Sequence, residues 1–417
     1  MKFSAPRGTK DILPHEAKIC HELERRARHI FANFNYNEIR TPIFEDVGLF
    51  NRSLGQNTDI VEKQLLRLKS EGKNEFVLRP EATASIVRAF IEHDIPVKET
   101  FSKYFYIGPM FRGERPQKGR LREFFHIGAE AIGISNPYLD SEVISLAINL
   151  MKGFGIEEYK LKINNLGCKK DKEKWSKLLR AALKDKIEDF CGLCKKRFDR
   201  NVFRILDCKN KNCKETLKNL ELAENHICSD CADYFKRVLI NLKTLGIAYE
   251  LSPFLVRGLD YYTGTVFEIT HRALGSQDAL GAGGRYDNLM SQLGGPDLGA
   301  TGFALGLERI ILALKKKPDT PDAIDAYLIA LDKQVYQPAF LLLDKLRKEK
   351  ISSDINYYER ASLKSQMRSA NKAGAKFVII IGDEEIKTGS VSLKDMSTGK
   401  QEKIKSEQII KELKKRL

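Results

Sequence analysis

Apolar residues recur at helical spacing from Glu16 to Phe34, where Ile19, Leu23, Ile30, Phe31 and Phe34 share one face and predict an amphipathic helix. The pattern then shortens to period two. Arg40-Thr-Pro-Ile-Phe44 reads as a strand start whose proline suits an edge or interface, and Phe76-Val-Leu-Arg-Pro80 as a second short strand. Ile86, Val87, Phe90 and Ile91 mark the inner face of a helix from about Glu81 to His93. Tyr104–Arg112 and Arg122–Ile132, rich in aromatic and β-branched residues, predict an antiparallel hairpin. The loop between them, Gly113-Glu-Arg-Pro-Gln-Lys-Gly-Arg120, is long and basic, and oversized loops usually carry function.

A Cys- and Lys-rich stretch from about 168 to 235 interrupts this pattern and reads as an inserted module. Strands resume at Arg257–Thr270 and Ala282–Asp287, and Gly302-Phe-Ala-Leu-Gly-Leu-Glu-Arg309 reads as a strand entering a helix that ends near Leu314. Lys315–Asp322, rich in lysine and proline, is a linker. Beyond it the pattern alternates: strand 326–331, helix 335–350, strand 354–358, helix 363–373, strand 377–381. That order predicts a small doubly wound α/β domain over 322–417, after an α+β domain over 1–321 built on an antiparallel sheet. No internal repeat or low-complexity tract is evident.

The balance of 42% hydrophobic and 30% charged residues is that of a globular protein, and it excludes disordered and fibrous classes. The N-terminus lacks the apolar run of a signal peptide and no stretch is long enough to span a bilayer, so a cytoplasmic protein without membrane contact is expected. Charge sharpens the picture. The net charge is +15, and residues 160–218 hold 19 Lys and Arg against 8 Asp and Glu, a local +11. Such concentration favours a face that contacts the phosphates of a nucleic acid over an evenly solvated surface. Seven of the eight cysteines lie between Cys168 and Cys231. In a reducing compartment, paired CxxC units point to a structural Zn²⁺ site rather than to disulfides. The spacing admits several ligand sets; Cys191, Cys194, Cys228 and Cys231, from the two CxxC units, are the candidates.

Arg112, Arg120, Arg257 and Arg309 fall at the ends of predicted strands or in loops beside them. One such arginine is usually a structural partner of a carboxylate. Four converging on one sheet face would clamp a polyphosphate, because guanidinium groups bind phosphate oxygens bidentately and keep their charge. The chain has no G-x-x-x-x-G-K-[ST] loop, so any ATP would be held by arginines on an antiparallel sheet.

This layout resembles a class II aminoacyl-tRNA synthetase. Arg40-Thr-Pro42 is similar to the first motif, Phe111-Arg112-Gly-Glu-Arg with the strand to Glu130 to the second, and Gly302–Arg309 to the third. Arg257-Gly-Leu-Asp-Tyr-Tyr262 and Ala282-Gly-Gly-Arg-Tyr286 narrow the resemblance to the histidyl-tRNA synthetase family, from Pro6-Arg-Gly-Thr-Lys-Asp11 through the C-terminal domain.

The resemblance implies a homodimer that uses ATP, Mg²⁺, L-histidine and tRNA(His), with the C-terminal domain reading the anticodon. It implies that Arg112 holds the ATP α-phosphate and the histidine carboxylate, with Arg120 also on ATP, and that Arg309 holds the γ-phosphate. Arg257 would stabilise charge at the α-phosphorus. Glu81 and Thr83 would hold the substrate ammonium, Glu130 one imidazole nitrogen and Tyr262 the other. Tyr261 belongs to the same set, although strand alternation would let only one of the two tyrosines face the pocket. Arg115, Gln117 and Arg122 would touch the tRNA acceptor end. Glu81 could instead be a first-turn acid favoured by a helix dipole.

One position departs from the family. His126 stands where the second motif carries a glutamine that touches the ammonium. With an ordinary pKa of about 6.5 the imidazole would repel that cation once protonated. Two other readings remain: a catalytically inactive paralogue serving as a regulatory subunit of ATP phosphoribosyltransferase, and a non-catalytic RNA-binding module. The paralogue typically lacks the C-terminal domain and the signature arginine, both of which this chain retains.

Overall fold

Period-two alternation builds the sheet on which everything else rests. The computed structural model describes residues 3–55, 58, 60–69, 72, 74–218, 227–275, 278–316, 323–358 and 361–417. These divide into two units, Met1–Pro318 and Asp319–Leu417. In the first, eight strands form one sheet: β1 (Asn37–Glu38), β2 (Ser102–Phe111), β3 (Glu123–Gly133), β4 (Lys160–Asn165), β5 (Glu250–Leu251), β6 (Thr263–Thr270), β7 (Ala279–Arg285) and β8 (Gly299–Gly306). Their order is β1-β2-β3-β8-β7-β6-β4-β5. All six central strands pair antiparallel, and only the two-residue edge strands β1 and β5 pair parallel.

The two faces of this sheet differ in chemistry. Ile127, Ala129 and Ala131 of β3, Phe303 and Leu305 of β8, and Phe267 and Ile269 of β6 point to one side. There they pack on helices Pro14–Asn33, Pro137–Gly153 and Ser229–Thr244 through Leu23, Phe31, Val143, Ile144, Leu150 and Val238. The alternate residues of the same strands, His126, Glu130, Gly302 and Glu268, therefore face the other side. Arg40–Ile43 is not strand; pairing begins at Phe44, in a separate three-stranded sheet of Phe44–Asp46, Leu66–Leu68 and Phe76–Leu78. Arg79 holds the segment instead, donating to Thr41 O at 2.9 Å, Thr41 Oγ1 at 3.0 Å and Pro109 O at 3.1 Å.

The Lys- and Cys-rich region is helical, with helices Lys169–Leu183, Gly192–Arg200, Phe203–Leu206 and Lys211–Lys218. Its limit at 235 falls inside the helix Ser229–Thr244, whose Val238 and Leu242 belong to the main core. The cysteines separate into two groups. Cys191, Cys194, Cys208 and Cys213 form one, and Cys168, Asp171, Cys228 and Cys231 the other. The two CxxC units thus do not meet, which corrects the ligand set of Cys191, Cys194, Cys228 and Cys231. Each CxxC opens a different helix, so each finds its partners on its own side of the module.

The second unit has strands β9 (Ala326–Ala330), β10 (Ser353–Ile355), β11 (Phe377–Ile381), β12 (Ser390–Asp395) and β13 (Gln401–Lys405) in the order β10-β9-β11-β12-β13. The first three are parallel, with helices Tyr336–Lys348 and Leu363–Lys372 as crossovers. β12 and β13 add an antiparallel hairpin beyond the alternating pattern read from sequence. Residues 317–322, which include most of the expected linker and its domain limit, lie outside the described residues.

Candidate active site

On the face opposite Ile127, Ala129 and Ala131, beside a second apolar cluster that includes Tyr106, Tyr262 and Tyr286, a cleft of about 250 Å³ opens over β3, β7 and β8. Its floor is kept low by Ala282, Gly302, Ala304 and Gly306, which share that face. Gly302 pairs with Glu130 across β8 and β3, and a β-carbon there would overlap the Glu130 carboxylate. Only glycine leaves room for that acid.

One group in the cleft is carboxylate and phenol. Glu130 is 1% exposed and accepts from Thr83 Oγ1 at 2.7 Å and from Tyr286 Oη at 2.6 Å. Burial pushes its carboxyl up to about 8; the Tyr286 and Thr83 bonds oppose this, and nearby Glu81 adds to it. Glu81, also buried, accepts from the backbone N–H of Thr83 at 2.6 Å and of Ala84 at 2.9 Å, at the start of the helix Thr83–Glu92. Glu81 precedes the N-cap Ala82, so it caps the helix from outside its first turn rather than serving as a first-turn acid, and these bonds fix the carboxylate at the cleft wall. Burial raises its pKa too, against those hydrogen bonds and the attraction of Arg112.

Tyr261 and Tyr262 both line the cleft, with ring centroids 4.7 Å apart. The expectation that only one could face it fails for a local reason. Arg257–Tyr262 is a turn, and the strand begins at Thr263, so alternation does not apply to this pair. The inserted module holds that turn. Lys172 Nζ donates to Asp260 O at 3.1 Å and Tyr262 O at 3.0 Å, and Asn201 Nδ2 donates to Asp260 Oδ1 at 2.9 Å. Lys172 is accordingly no solvated surface lysine; burial lowers its pKa.

A second group is cationic. Arg112, Arg120, Arg257 and Arg309 all line the same cleft. Arg112 donates to Pro80 O at 2.9 Å and lies over the Phe124 ring at 5.2 Å. Arg120 is paired with Glu114, and Arg257 Nη1 with Glu268 Oε2 at 2.8 Å. Arg309 donates to Gly119 O at 3.1 Å and Ala279 O at 2.6 Å, which ties the basic loop to β7. Burial lowers the pKa of both Arg112 and Arg309, yet guanidinium is so strong a base that both stay charged. Arg112 senses Glu81 and Tyr261 on one side and Glu114 and Arg120 on the other, so it joins the two groups.

His126 also lines the cleft, and its Nδ1 is buried without a partner among the described residues. Burial, reinforced by Arg112, Arg309 and Arg79, drives its pKa down to about 3. This replaces the ordinary value assumed from sequence: the ring is neutral throughout the working range. Arg115, Gln117 and Arg122 do not line the cleft. Arg115 and Gln117 are exposed, and Arg122 donates to Glu114 O and Arg7 O, each at 3.3 Å. Sequence reasoning gave no role to Glu114, Glu268, Tyr106 or Tyr286, all of them in or beside this site. Alternation with Phe267 and Ile269 was a signal for Glu268; Tyr286 lies past the end of β7, where no periodicity applies.

An arginine-lined cleft on an antiparallel sheet, in a chain with no lysine-bearing phosphate loop, is the catalytic architecture of class II aminoacyl-tRNA synthetases. Comparison with known proteins narrows this. Residues 8–310 match the family model described as histidyl-tRNA synthetase, and residues 325–416 the anticodon binding domain. The histidine–tRNA ligase of Halothermothrix orenii is 45% identical over 418 residues, covering all of both chains, and that of Natranaerobius thermophilus 43% identical over 96% of each. The crystal structure of apo S. aureus histidyl-tRNA synthetase superposes with a TM-score of 0.82 at 33% identity, over 99% of this chain and 100% of that one. This chain belongs to the histidyl-tRNA synthetase family. A Bacillus halodurans protein described as an ATP phosphoribosyltransferase regulatory subunit/histidyl-tRNA synthetase shares the fold, with a TM-score of 0.70 at 23% identity over 92% of this chain and 99% of that one.

Proposed function

We infer that the protein is a histidine–tRNA ligase, which joins L-histidine to ATP as histidyl-adenylate and then passes the histidine to the 3′ end of tRNA(His). The observation that carries this is the division of one cleft into a buried carboxylate–tyrosine group and a set of four arginines. The first suits an amino acid with an ammonium group and a ring bearing two nitrogens. Glu81 and Thr83 hold the ammonium, with the neutral His126 as an additional acceptor. Glu130 and Tyr262 read the two ring nitrogens, with Tyr261 packed beside them. Buried polar groups of this kind reject apolar isosteres, which would leave them unpaired.

The second group suits ATP. Arg112 draws the histidine carboxylate and the α-phosphate together, and Arg120 and Arg309 hold the outer phosphates. A carboxylate oxygen of histidine attacks the α-phosphorus in line, and pyrophosphate leaves. Arg257 stabilises the charge gathering on the α-phosphoryl oxygens. A hydroxyl of the terminal tRNA ribose then attacks the acyl carbon, and AMP leaves. Mg²⁺ bound with ATP would neutralise its phosphate oxygens, and the Glu114 and Glu268 carboxylates, now paired with Arg120 and Arg257, would help to hold it.

The second unit reads the anticodon of tRNA. Tyr357 and Tyr358, 61% and 82% exposed, follow β10 and offer faces on which unpaired bases can stack. Arg115, Gln117 and Arg122, outside the cleft on or beside its basic loop, contact the acceptor end. The protein works as a cytoplasmic homodimer through the Arg40-Thr-Pro42 segment, a role supported by the exposed apolar Ile43, Phe44 and Leu68 beside it. None of its described helices is long and apolar enough to cross a membrane. Charging of a tRNA(His) transcript with labelled histidine tests the whole reading. Product that depends on ATP and on tRNA(His) is expected, and none with either intact or anticodon-altered transcript would overturn it.

A further inference from the structure

The first cysteine group is not explained by histidine or tRNA chemistry. Cys191 and Cys194 open the helix Gly192–Arg200, Cys208 follows the helix Phe203–Leu206, and Cys213 lies in the helix Lys211–Lys218. None of these helices exceeds 9 residues, and isolated helices shorter than about 12–15 residues are marginal in water. They are held by packing: Val202, Ile205, Leu206 and Leu217 share an apolar cluster with Trp175, Leu179 and Leu183, and the four cysteines join it. Their four sulfurs lie within 4.8 Å of one another, and none of them is in a disulfide.

We propose that Cys191, Cys194, Cys208 and Cys213 bind one Zn²⁺ as a four-thiolate site that staples the short helices of the insertion. Four sulfurs about 2.3 Å from a tetrahedral zinc are about 3.8 Å apart along each edge. Cys191 Sγ and Cys208 Sγ are 3.8 Å apart, already at that edge length. Cys194, Cys208 and Cys213 are buried and Cys191 half-buried, the closed surroundings of a structural site. The backbone N–H of Cys191 donates to Cys213 Sγ at 3.3 Å, a contact that stabilises a thiolate. Zinc with four thiolates carries a formal charge of −2, and Lys195, Lys196, Lys209, Lys211 and Lys214 surround the ligands in sequence.

The second group differs. There both Asp171 oxygens accept backbone N–H bonds, from Cys168 at 3.2 Å and Cys228 at 3.1 Å, so the carboxylate already caps two helix starts. It is not part of the proposal. The stapled segment reaches the cleft: Asn201, between Cys194 and Cys208, holds Asp260 of the Arg257–Tyr262 turn. Zinc is therefore a remote support for the turn that carries Arg257.

The test measures metal in the full chain, purified without added zinc or chelator, by elemental analysis and by release with a mercurial thiol reagent. Wild type should contain zinc, and Cys194→Ser and Cys213→Ser should each lose one equivalent. Cys231→Ser should retain that equivalent, as should Cys20→Ser, whose thiol is in the distant first helix. Should the serine variants fail to fold, metal-stripped wild type titrated with Co²⁺ should show the intense thiolate charge-transfer and visible bands of a tetrahedral four-sulfur site, erased by Zn²⁺. Wild type that carries no zinc and gives no such cobalt spectrum would overturn the proposal. So would zinc lost in Cys231→Ser but kept in Cys213→Ser, or iron and sulfide in place of zinc.

Discussion

Histidine should bind this protein more tightly at pH 8 than at pH 7, and Glu130 is the reason. Its carboxyl, held up to about 8 by burial, is mostly protonated in the empty cleft at neutral pH. Substrate brings an ammonium toward Glu81 and a ring N–H toward Glu130, and both favour the ionised acid. With a pKa of about 8, roughly one molecule in eleven is ionised at pH 7 and half at pH 8, so affinity should rise about fivefold across that unit. The cost of ionising Glu130 at pH 7 is about 1.4 kcal/mol, and close to one proton should be released per histidine bound. Calorimetric titration with histidine at both pH values, in two buffers of different protonation enthalpy, measures both quantities. Glu130→Gln should bind weakly and lose the pH dependence. An affinity that is flat or falls from pH 7 to 8, or proton uptake on binding, would refute the assignment of Glu130 as the acceptor for the ring.

Arg257→Ala should slow histidyl-adenylate formation by about 3–4 kcal/mol of barrier, the scale of losing a preorganised donor to developing charge, while the melting curve is retained. Glu268 loses its partner in that variant, so Arg257→Ala with Glu268→Gln separates the missing cation from the exposed acid; full activity in the double variant would remove Arg257 from the mechanism. His126→Gln should show the same pH dependence as wild type between pH 6 and 8, because an imidazole with its pKa near 3 does not titrate there. A wild-type loss of histidine affinity below pH 6.5 that the variant escapes would show that His126 gains a proton. Charge reversal at the exposed Lys169, Lys170 and Lys177 should weaken tRNA binding and reduce its salt slope by roughly 0.7–0.9 per lost phosphate contact, with adenylate formation spared. Lys172 is excluded from that set because it braces the Arg257–Tyr262 turn.

The sheet was legible because its strands are runs of aromatic and β-branched residues, so the hairpin 104–132 and the strand–helix 302–309 are found within a few residues of their predicted limits. Alternation also fixes which side chains share the cleft face, as His126 and Glu130 do. It says nothing about turns, and the Tyr261–Tyr262 pair was misread as strand for that reason. The environment of a side chain was equally hidden. Lys172 reads as one more lysine in a basic window, and His126 as an ordinary imidazole, until the neighbours that burial supplies are known. The cysteines show the same limit: CxxC spacing marks metal-binding units, but which units meet depends on how the intervening helices fold back.

Histidine-dependent exchange of pyrophosphate into ATP, with no tRNA present, tests the central claim most directly, because it isolates the chemistry of the cleft. The account predicts exchange with histidine, none with the other amino acids or with apolar isosteres of its ring, and loss of exchange in Glu130→Gln. Exchange without histidine, equal exchange with another amino acid, or none from the folded protein would contradict it.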